Sequence, residues 1–518
     1  MGGLESSSFW RLPADKAVET LLDNLFCDKL IPLFKSDNFR KFVLDTSGKA
    51  NKFKAIKSRP YNYVQQHKLS NISKLRKFSV PHPKAYSDIC LCIFDNWNEI
   101  QALLAQRWKN RTVNLFLLPK GGDVELTYDL WLEYGDDFEK MKDLDVNEEL
   151  IDNAKLAFGK KYCAKADVAN FYPSIYTHSI AWSAVGRDDA FKQRFDKNKW
   201  YNKLDTFIRK SQNEESIGLH IGPFSSNILS DIVLSSVDSF LSDHGFVFNR
   251  VIDDYKCYAE SADEYRDFII ALSSALHKIK LDINSSKTFT CTLPSNHSDQ
   301  WVREIRTFNF TIPKSGKITF SQVNLKELAD YFDLAMQWQH KESNAAVLLF
   351  AIKRILNATF DEKAKNFFQM HCCQLIFVYP YLATLLPKIL DGCSDGSFFS
   401  TYIEKIFDNS LNINEFCACS WVIYTCIKND MLTIDVNKYI DAILDSEDCL
   451  LIWSAYAYSA PKGIDTEKIR LFTEKIVNEG REDEYWLLVY MLFYSNKVNS
   501  PINIEEFTEL KNNGVTFW

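Results

Sequence analysis

The reading of the chain turns on RVIDDYKCY, residues Arg250 to Tyr258. β-forming residues run up to Asp253-Asp254 and away from it again, which is the pattern of a tight hairpin. Two adjacent acids at the tip of an otherwise apolar hairpin are costly to bury unless a cation neutralises them. From this stretch alone, an ordinary Asp-Asp turn is the favoured reading.

A third acid stands upstream. In ADVANFYPSI, residues Ala166 to Ile175, an apolar run from Tyr162 to Val168 leads into Asp167 and then an aromatic pair, Phe171-Tyr172. Alone, Asp167 is as readily a cap for the helix that follows a strand. Joined to Asp253 and Asp254 it completes a set of three carboxylates. Hard ions such as Mg²⁺ are held by a few carboxylates plus substrate phosphate oxygens. Two such ions about 4 Å apart stabilise the attacking and leaving oxygens of an in-line phosphoryl displacement, which is polymerase chemistry.

Two further stretches fit the same chemistry. GLHIGPFSSNILSDIVL, residues Gly218 to Leu234, opens with two glycines and a proline in a turn and continues as an amphipathic helix. Glycine lets a backbone come close to a sugar or a base pair, although a helix-start loop with no ligand has the same look. DINSSKT, residues Asp282 to Thr288, is a weaker signal that sets Lys287 at a turn between a helix and a strand.

The 518 residues are enough for two or more hydrophobic cores. The composition, 46% hydrophobic and 25% charged, is that of a folded globular chain and argues against disorder. No apolar run reaches the roughly 18 residues that span a bilayer; Trp486 to Tyr494 reads as a buried helix, and no membrane partner is expected. The first residues lack the layout of a signal peptide, so a cytoplasmic location is the expectation. The thirteen cysteines include no CxxC pair, and His371-Cys372-Cys373 with Cys417 and Cys419 read as core thiols rather than a zinc site.

A net charge of -7 counts against a nucleic acid partner, but the average hides a local asymmetry. From Lys49 to Lys77 the chain carries Lys49, Lys52, Lys54, Lys57, Arg59, Lys68, Lys74, Arg76 and Lys77 with no acid between them. That stretch reads either as a phosphate path or as a solvated basic face.

Three regions follow from the patterning. Residues 1–160 mix helical patterns with short extended runs such as Val113 to Leu118, which ends at the turn signal Pro119-Lys120-Gly121-Gly122. Residues 161–325 carry the β-type runs Tyr162 to Val168, Phe246 to Ile252, Tyr255 to Ala259 and Thr307 to Ile312 between helices, so a sheet covered by helices is expected. From 326 to 518 helical periodicity dominates: Leu348, Ala351, Ile352, Ile355 and Leu356 share one helix face, with similar stripes at Tyr379 to Leu390 and Phe416 to Ile427. Stacked helical pairs or a compact bundle both satisfy this pattern.

In order and spacing the four stretches resemble reverse transcriptase motifs A, B, C and D, over roughly residues 160 to 290. The run DVANFYPSIYTHSIAW from Asp167 to Trp182, with the long helical tail, is similar to the abortive-infection (Abi) reverse transcriptases of bacterial phage defence, the AbiK type and the relative carried by P2-like prophages. The resemblance implies an α+β fold: fingers and palm followed by an all-α, HEAT-like or bundled C-terminal domain with no ordinary thumb. It implies Asp167, Asp253 and Asp254 as ligands of two Mg²⁺ ions, or Mn²⁺ in their place, with Val168 beside them in the metal set. Lys287 becomes a candidate proton donor to pyrophosphate, and Tyr172, next to Phe171, a steric gate under the incoming sugar. Gly222 and Arg76 become substrate contacts. The implied activity is template-independent synthesis from dNTPs, primed by a protein hydroxyl and leaving single-stranded DNA covalently attached, with Tyr61 and Tyr63 as priming candidates. A homo-oligomer, trimer or hexamer, is implied as well.

Two departures from the motifs matter. Val251 stands where motif C usually has tyrosine, and His220-Ile221 replaces the common Pro-Gln of motif B. Both usual residues help seat a primer terminus or a templating pair, so their replacement counts against templated copying while leaving the acids intact. A templated RNA-directed DNA polymerase, and a scaffold with a vestigial palm that acts through its helical tail, are the competing readings.

Overall fold

The computed structural model describes residues 14–26, 30–44, 52–71, 74–107, 116–120, 123–127, 151, 153–296, 298–310, 323–498 and 504–518. It is a mixed helix and sheet structure. A four-stranded antiparallel sheet carries the motifs: β5 (Tyr162–Asp167), β6 (Val247–Val251), β7 (Asp254–Ala259) and β8 (Phe289–Thr292), in the order β6-β7-β5-β8. β5 sits inside the sheet, and its small residues Cys163, Ala164 and Ala166 are buried. The helix Ala262–Lys278 packs on β5 and β7 and on the helix Ser225–Asp243. Its start is fixed by Ser261, whose hydroxyl accepts the Glu264 N–H at 3.1 Å, and its ends carry acids first and cations last, as the helix dipole favours.

Upstream lie two hairpins, β1 (Tyr63–Asn71) with β2 (Lys74–Pro81), and β3 (Phe116–Lys120) with β4 (Asp123–Thr127). Pro119 therefore belongs to a strand rather than to the turn expected from Pro119-Lys120-Gly121-Gly122, whose two glycines lie outside the described residues.

The β1–β2 hairpin joins the front of the molecule to its tail. Gln66 donates to Ser420 Oγ at 3.3 Å and Asp448 Oδ1 at 3.2 Å, and the Leu69 N–H donates to Glu415 at 3.1 Å. Trp486 Nε1 donates to the Val80 carbonyl at 3.2 Å, and on the other side the Ser79 N–H donates to the Ile221 carbonyl at 2.9 Å. The basic stretch is thus divided. Arg59 forms a two-pronged pair with Asp483 at 2.6 and 2.8 Å, Arg76 is exposed, and Lys49 lies outside the described residues.

The tail is helical throughout. Successive helices touch the next and the next but one: Leu325–Glu342 meets Ala345–Ile355 and Glu362–Val378, and Cys449–Ser459 meets Phe416–Lys428 and Trp486–Tyr494. That is the packing of stacked pairs, in which each helix buries one face on each neighbour. In Ala345–Ile355 the buried residues include Leu348, Ala351, Ile352 and Ile355, as the periodicity predicts, and Trp486 to Phe493 are all buried. Two expectations are corrected. Thr307 to Phe310 do not form a strand: Thr307 ends the helix Gln300–Thr307, whose Trp301 and Ile305 enter the core against the tail helices, and 311–312 lie outside the described residues. Tyr379 to Leu390 is a 3₁₀ turn over Pro380–Leu385 and one short helix, because Pro380 and Pro387 interrupt the hydrogen-bond ladder.

Candidate active site

Asp167 is the last residue of β5, and its partner across the ladder is Asp254, the first residue of β7. Ile252 and Asp253 make the two-residue turn between β6 and β7. One carboxylate oxygen from each of Asp167, Asp253 and Asp254 lies within 4.8 Å of the others. Among the described residues no other three His, Cys, Asp or Glu side chains converge in this way, the His371-Cys372-Cys373 segment included.

The turn is held under strain. Ile252 has φ of 52°, a left-handed conformation that a β-branched residue rarely adopts and that persists only where the surroundings enforce it. The enforcing group is Arg250, whose guanidinium donates to the Ile252 carbonyl and to Asp231 and Asp238, both at 2.9 Å. Tyr255 donates its hydroxyl to Asp238 at 3.0 Å. Arg250, Asp231 and Asp238 are all buried, and Coulombic attraction to the two acids holds the guanidinium charged against the cost of burial. Asp231 and Asp238 are seven residues apart on Ser225–Asp243, hence on one helix face. Their signal in the sequence is a pair of acids at that spacing inside an apolar helix; their role as the clamp of the turn is legible only in three dimensions.

The loop after Ala262–Lys278 laces the end of β5. The Asn284 N–H donates to the Asp167 carbonyl at 2.7 Å, Asn284 Nδ2 donates to Asp167 Oδ2 at 2.9 Å, and the Ala169 N–H donates to the Asp282 carbonyl at 2.8 Å. Lys287 Nζ lies 2.9 Å from Asp167 Oδ2, and this hydrogen bond raises its pKa. Burial, then the negative charges of Asp254 and Asp167, push Asp253 up to about 7. Asp254 is raised by burial and by Asp167. Three carboxylates facing one lysine leave uncompensated negative charge in a partly buried site, and that donor set fits divalent magnesium or manganese. Val168 is apolar and buried, so its backbone carbonyl is the atom it has to offer.

Phe171 and Tyr172 begin a short helix after Asn170, whose φ is 46°. Phe171 is buried; Tyr172 donates its hydroxyl to Asn227 Oδ1 at 2.6 Å, and its carbonyl accepts the Leu219 N–H at 2.9 Å. The loop Gly218 to Pro223 therefore rests directly on the residues after Asp167. Gly222 has φ of 135°, open to glycine alone. The His220 ring is buried, its Nε2 within 3.1 Å of the Ser211 carbonyl and hydroxyl, and burial lowers its pKa to about 4. The residues that replace Pro-Gln are thus structural anchors: His220 ties the loop to Ser211, and Ile221 ties it to Ser79 of β2.

The remaining candidates lie on the β1–β2 hairpin and just before it. Arg76 is exposed on β2 opposite Lys68. Tyr63 is half-buried at the start of β1, with its ring edge-on to His220 at 4.5 Å. Tyr61 is a correction to its expected role: it is fully buried, stacked on His82 at 4.4 Å, and its hydroxyl donates to Glu506 Oε1 at 2.7 Å. Burial and then Glu506 raise its pKa, and burial raises that of Tyr63 as well.

No family model matches the chain, and no curated protein matches its sequence. Among solved structures it is similar to telomerases of Candida: the apo enzyme of Candida tropicalis lacking its C-terminal domain (16% identity, TM-score 0.24, 45% of this chain and 59% of that one) and the Candida albicans enzyme with a fragment of telomeric RNA (12%, 0.26, 89% and 65%). The intact apo enzyme of Candida tropicalis gives 12% identity and a TM-score of 0.28 over 83% of this chain and 67% of that one. The chain thus spans less than two thirds of the first two.

Proposed function

We propose that this protein is a reverse-transcriptase-type DNA polymerase of phage defence that builds DNA without a template, starting from one of its own hydroxyls. The observation that carries the reading is the meeting of Asp167, Asp253 and Asp254 at the end of β5 and the β6–β7 turn, with Lys287 on Asp167. In this reading the three carboxylates and the Val168 carbonyl would hold two magnesium ions. Bound there, the ions would activate the attacking hydroxyl and neutralise charge on the phosphates. Lys287 gives its proton to the departing pyrophosphate. Tyr172 lies beneath the incoming sugar and Gly222 lets the backbone approach it, while Arg76 meets phosphate.

Untemplated synthesis is the reading because His220-Ile221 replaces the usual Pro-Gln that helps seat a templating pair. The motif B loop is pinned by His220 and Ile221 to neighbouring elements, and the hairpin that pins it is bonded to the helical tail. Tyr63 is the better of the two priming candidates, since it touches that loop whereas Tyr61 faces Glu506. In the priming step the tyrosine oxygen bonds to the α-phosphorus of a dNTP, and pyrophosphate leaves. Self-association through the tail is part of the reading, supported by exposed Phe377, Val378, Phe398, Ile413 and Met431.

Mass spectrometry of the expressed protein tests it. A ladder of added nucleotides on a tyrosine supports the reading. An unmodified chain that extends only an annealed primer on a template would overturn it.

A further inference from the structure

Between β5 and the motif B loop the chain inserts the helices Ser179–Val185, Arg187–Lys192 and Trp200–Lys210. They enclose a pocket of about 1250 Å³ to which none of the three acids contributes. Seven of its lining residues are Lys or Arg and three are Asp, an excess of positive charge in a chain whose net charge is -7. Arg187, Arg194, Lys197 and Lys203 have no acidic partner among the described residues. Phe191 and Phe195, also in the lining, are 64% and 80% exposed, which apolar rings of that size rarely are without a use. The Arg194 guanidinium lies over both rings, 4.0 and 4.4 Å from their centres.

Exposed rings interleaved with unpaired cations are the two elements of single-strand recognition, because bases stack on aromatic faces while phosphates track the positive charge. A duplex hides its base faces, and a protein partner would have little use for a cationic groove without more acids of its own. We propose that this pocket binds single-stranded nucleic acid, with bases stacked on Phe191 and Phe195 and the backbone along Arg194, Lys197 and Lys203. The inference deepens the polymerase reading by giving the strand a second site, but binding is independent of synthesis and is tested apart from it.

The test is fluorescence anisotropy of labelled oligo(dT) and oligo(U), with duplex DNA of the same length as competitor. It uses the full chain and its Asp253→Asn/Asp254→Asn form in EDTA, so that no synthesis contributes. Both forms are expected to bind either single strand, with duplex competing poorly. Phe191→Ala/Phe195→Ala is expected to weaken binding at least tenfold at unchanged Tm, the effect of losing two stacked bases. Lys197→Glu/Lys203→Glu is expected to flatten the dependence of affinity on salt. Affinity untouched by both pairs, or duplex bound as tightly as single strand, would overturn the inference. Binding that persists while the protein incorporates no nucleotide would overturn only the polymerase reading.

Discussion

Asp167 and Asp254 face one another as partners across two antiparallel strands, so the sheet register itself brings together two acids 87 positions apart in the chain. A slip of one residue would turn either side chain to the opposite face of the sheet. The register is pinned where it matters, by Asn284 and Lys287 on the Asp167 side and by Arg250 beneath the turn.

Arg250 is the test of that pinning. Arg250→Met leaves Asp231 and Asp238 buried without their cation and frees the Ile252 carbonyl. Breaking a buried pair from one side costs about 3–5 kcal/mol. A urea midpoint lowered accordingly, with nucleotide incorporation falling further than the folded fraction, is the expected outcome; unchanged stability would remove the clamp from the account.

Asp253 ties stability to pH and to metal. Its folded pKa, about 7, is raised above the usual carboxylate value, so its contribution is present below about pH 4 and is lost as pH rises toward and through 7. In EDTA at pH 8, Asp253→Asn should therefore be more stable than the native chain, by about 1–3 kcal/mol. Adding Mg²⁺ should raise the Tm of the native protein and do little for the variant. Thermal melts at pH 5 and 8, with and without Mg²⁺, measure all four terms.

His220 gives the opposite slope. Burial lowers its pKa to about 4, so its stabilisation is present above about pH 6.5 and is lost as pH falls from there toward 4. The native chain should lose up to about 3 kcal/mol across that interval through this residue. The gap between the native chain and His220→Asn, followed by urea titration, should narrow as pH falls; a constant gap would mean that the ring is not buried neutral.

The two tyrosines separate structure from priming. Tyr61→Phe removes the bond to Glu506 and should cost about 1–2 kcal/mol of stability while leaving DNA attached to the protein. Tyr63→Phe should leave stability nearly unchanged and abolish attachment. Gel migration of labelled product with protein distinguishes the outcomes.

Much of the four-stranded sheet was legible in the sequence because its signals are local. The apolar run from Tyr162 to Val168, the β-forming runs either side of Asp253-Asp254 and the glycines at 218 and 222 each mark an element by residue type alone. The stripes of the tail were legible for the same reason. What escaped depends on distant partners: that Tyr61 is covered by Glu506, that Arg250 reaches two acids of a helix, and that Thr307 closes a helix docked on the tail. The exposed rings of Phe191, in the helix Arg187–Lys192, and of Phe195, in the turn after it, were invisible too, since a phenylalanine is ordinarily core.

The most direct test of the central claim is incorporation of labelled dNTPs by the purified protein in Mg²⁺ with no template or primer, beside Asp254→Asn prepared identically. The account predicts labelled polymer that migrates with the native protein, and none with the variant. Equal labelling of both proteins, or none by either with or without a primed template, would contradict it.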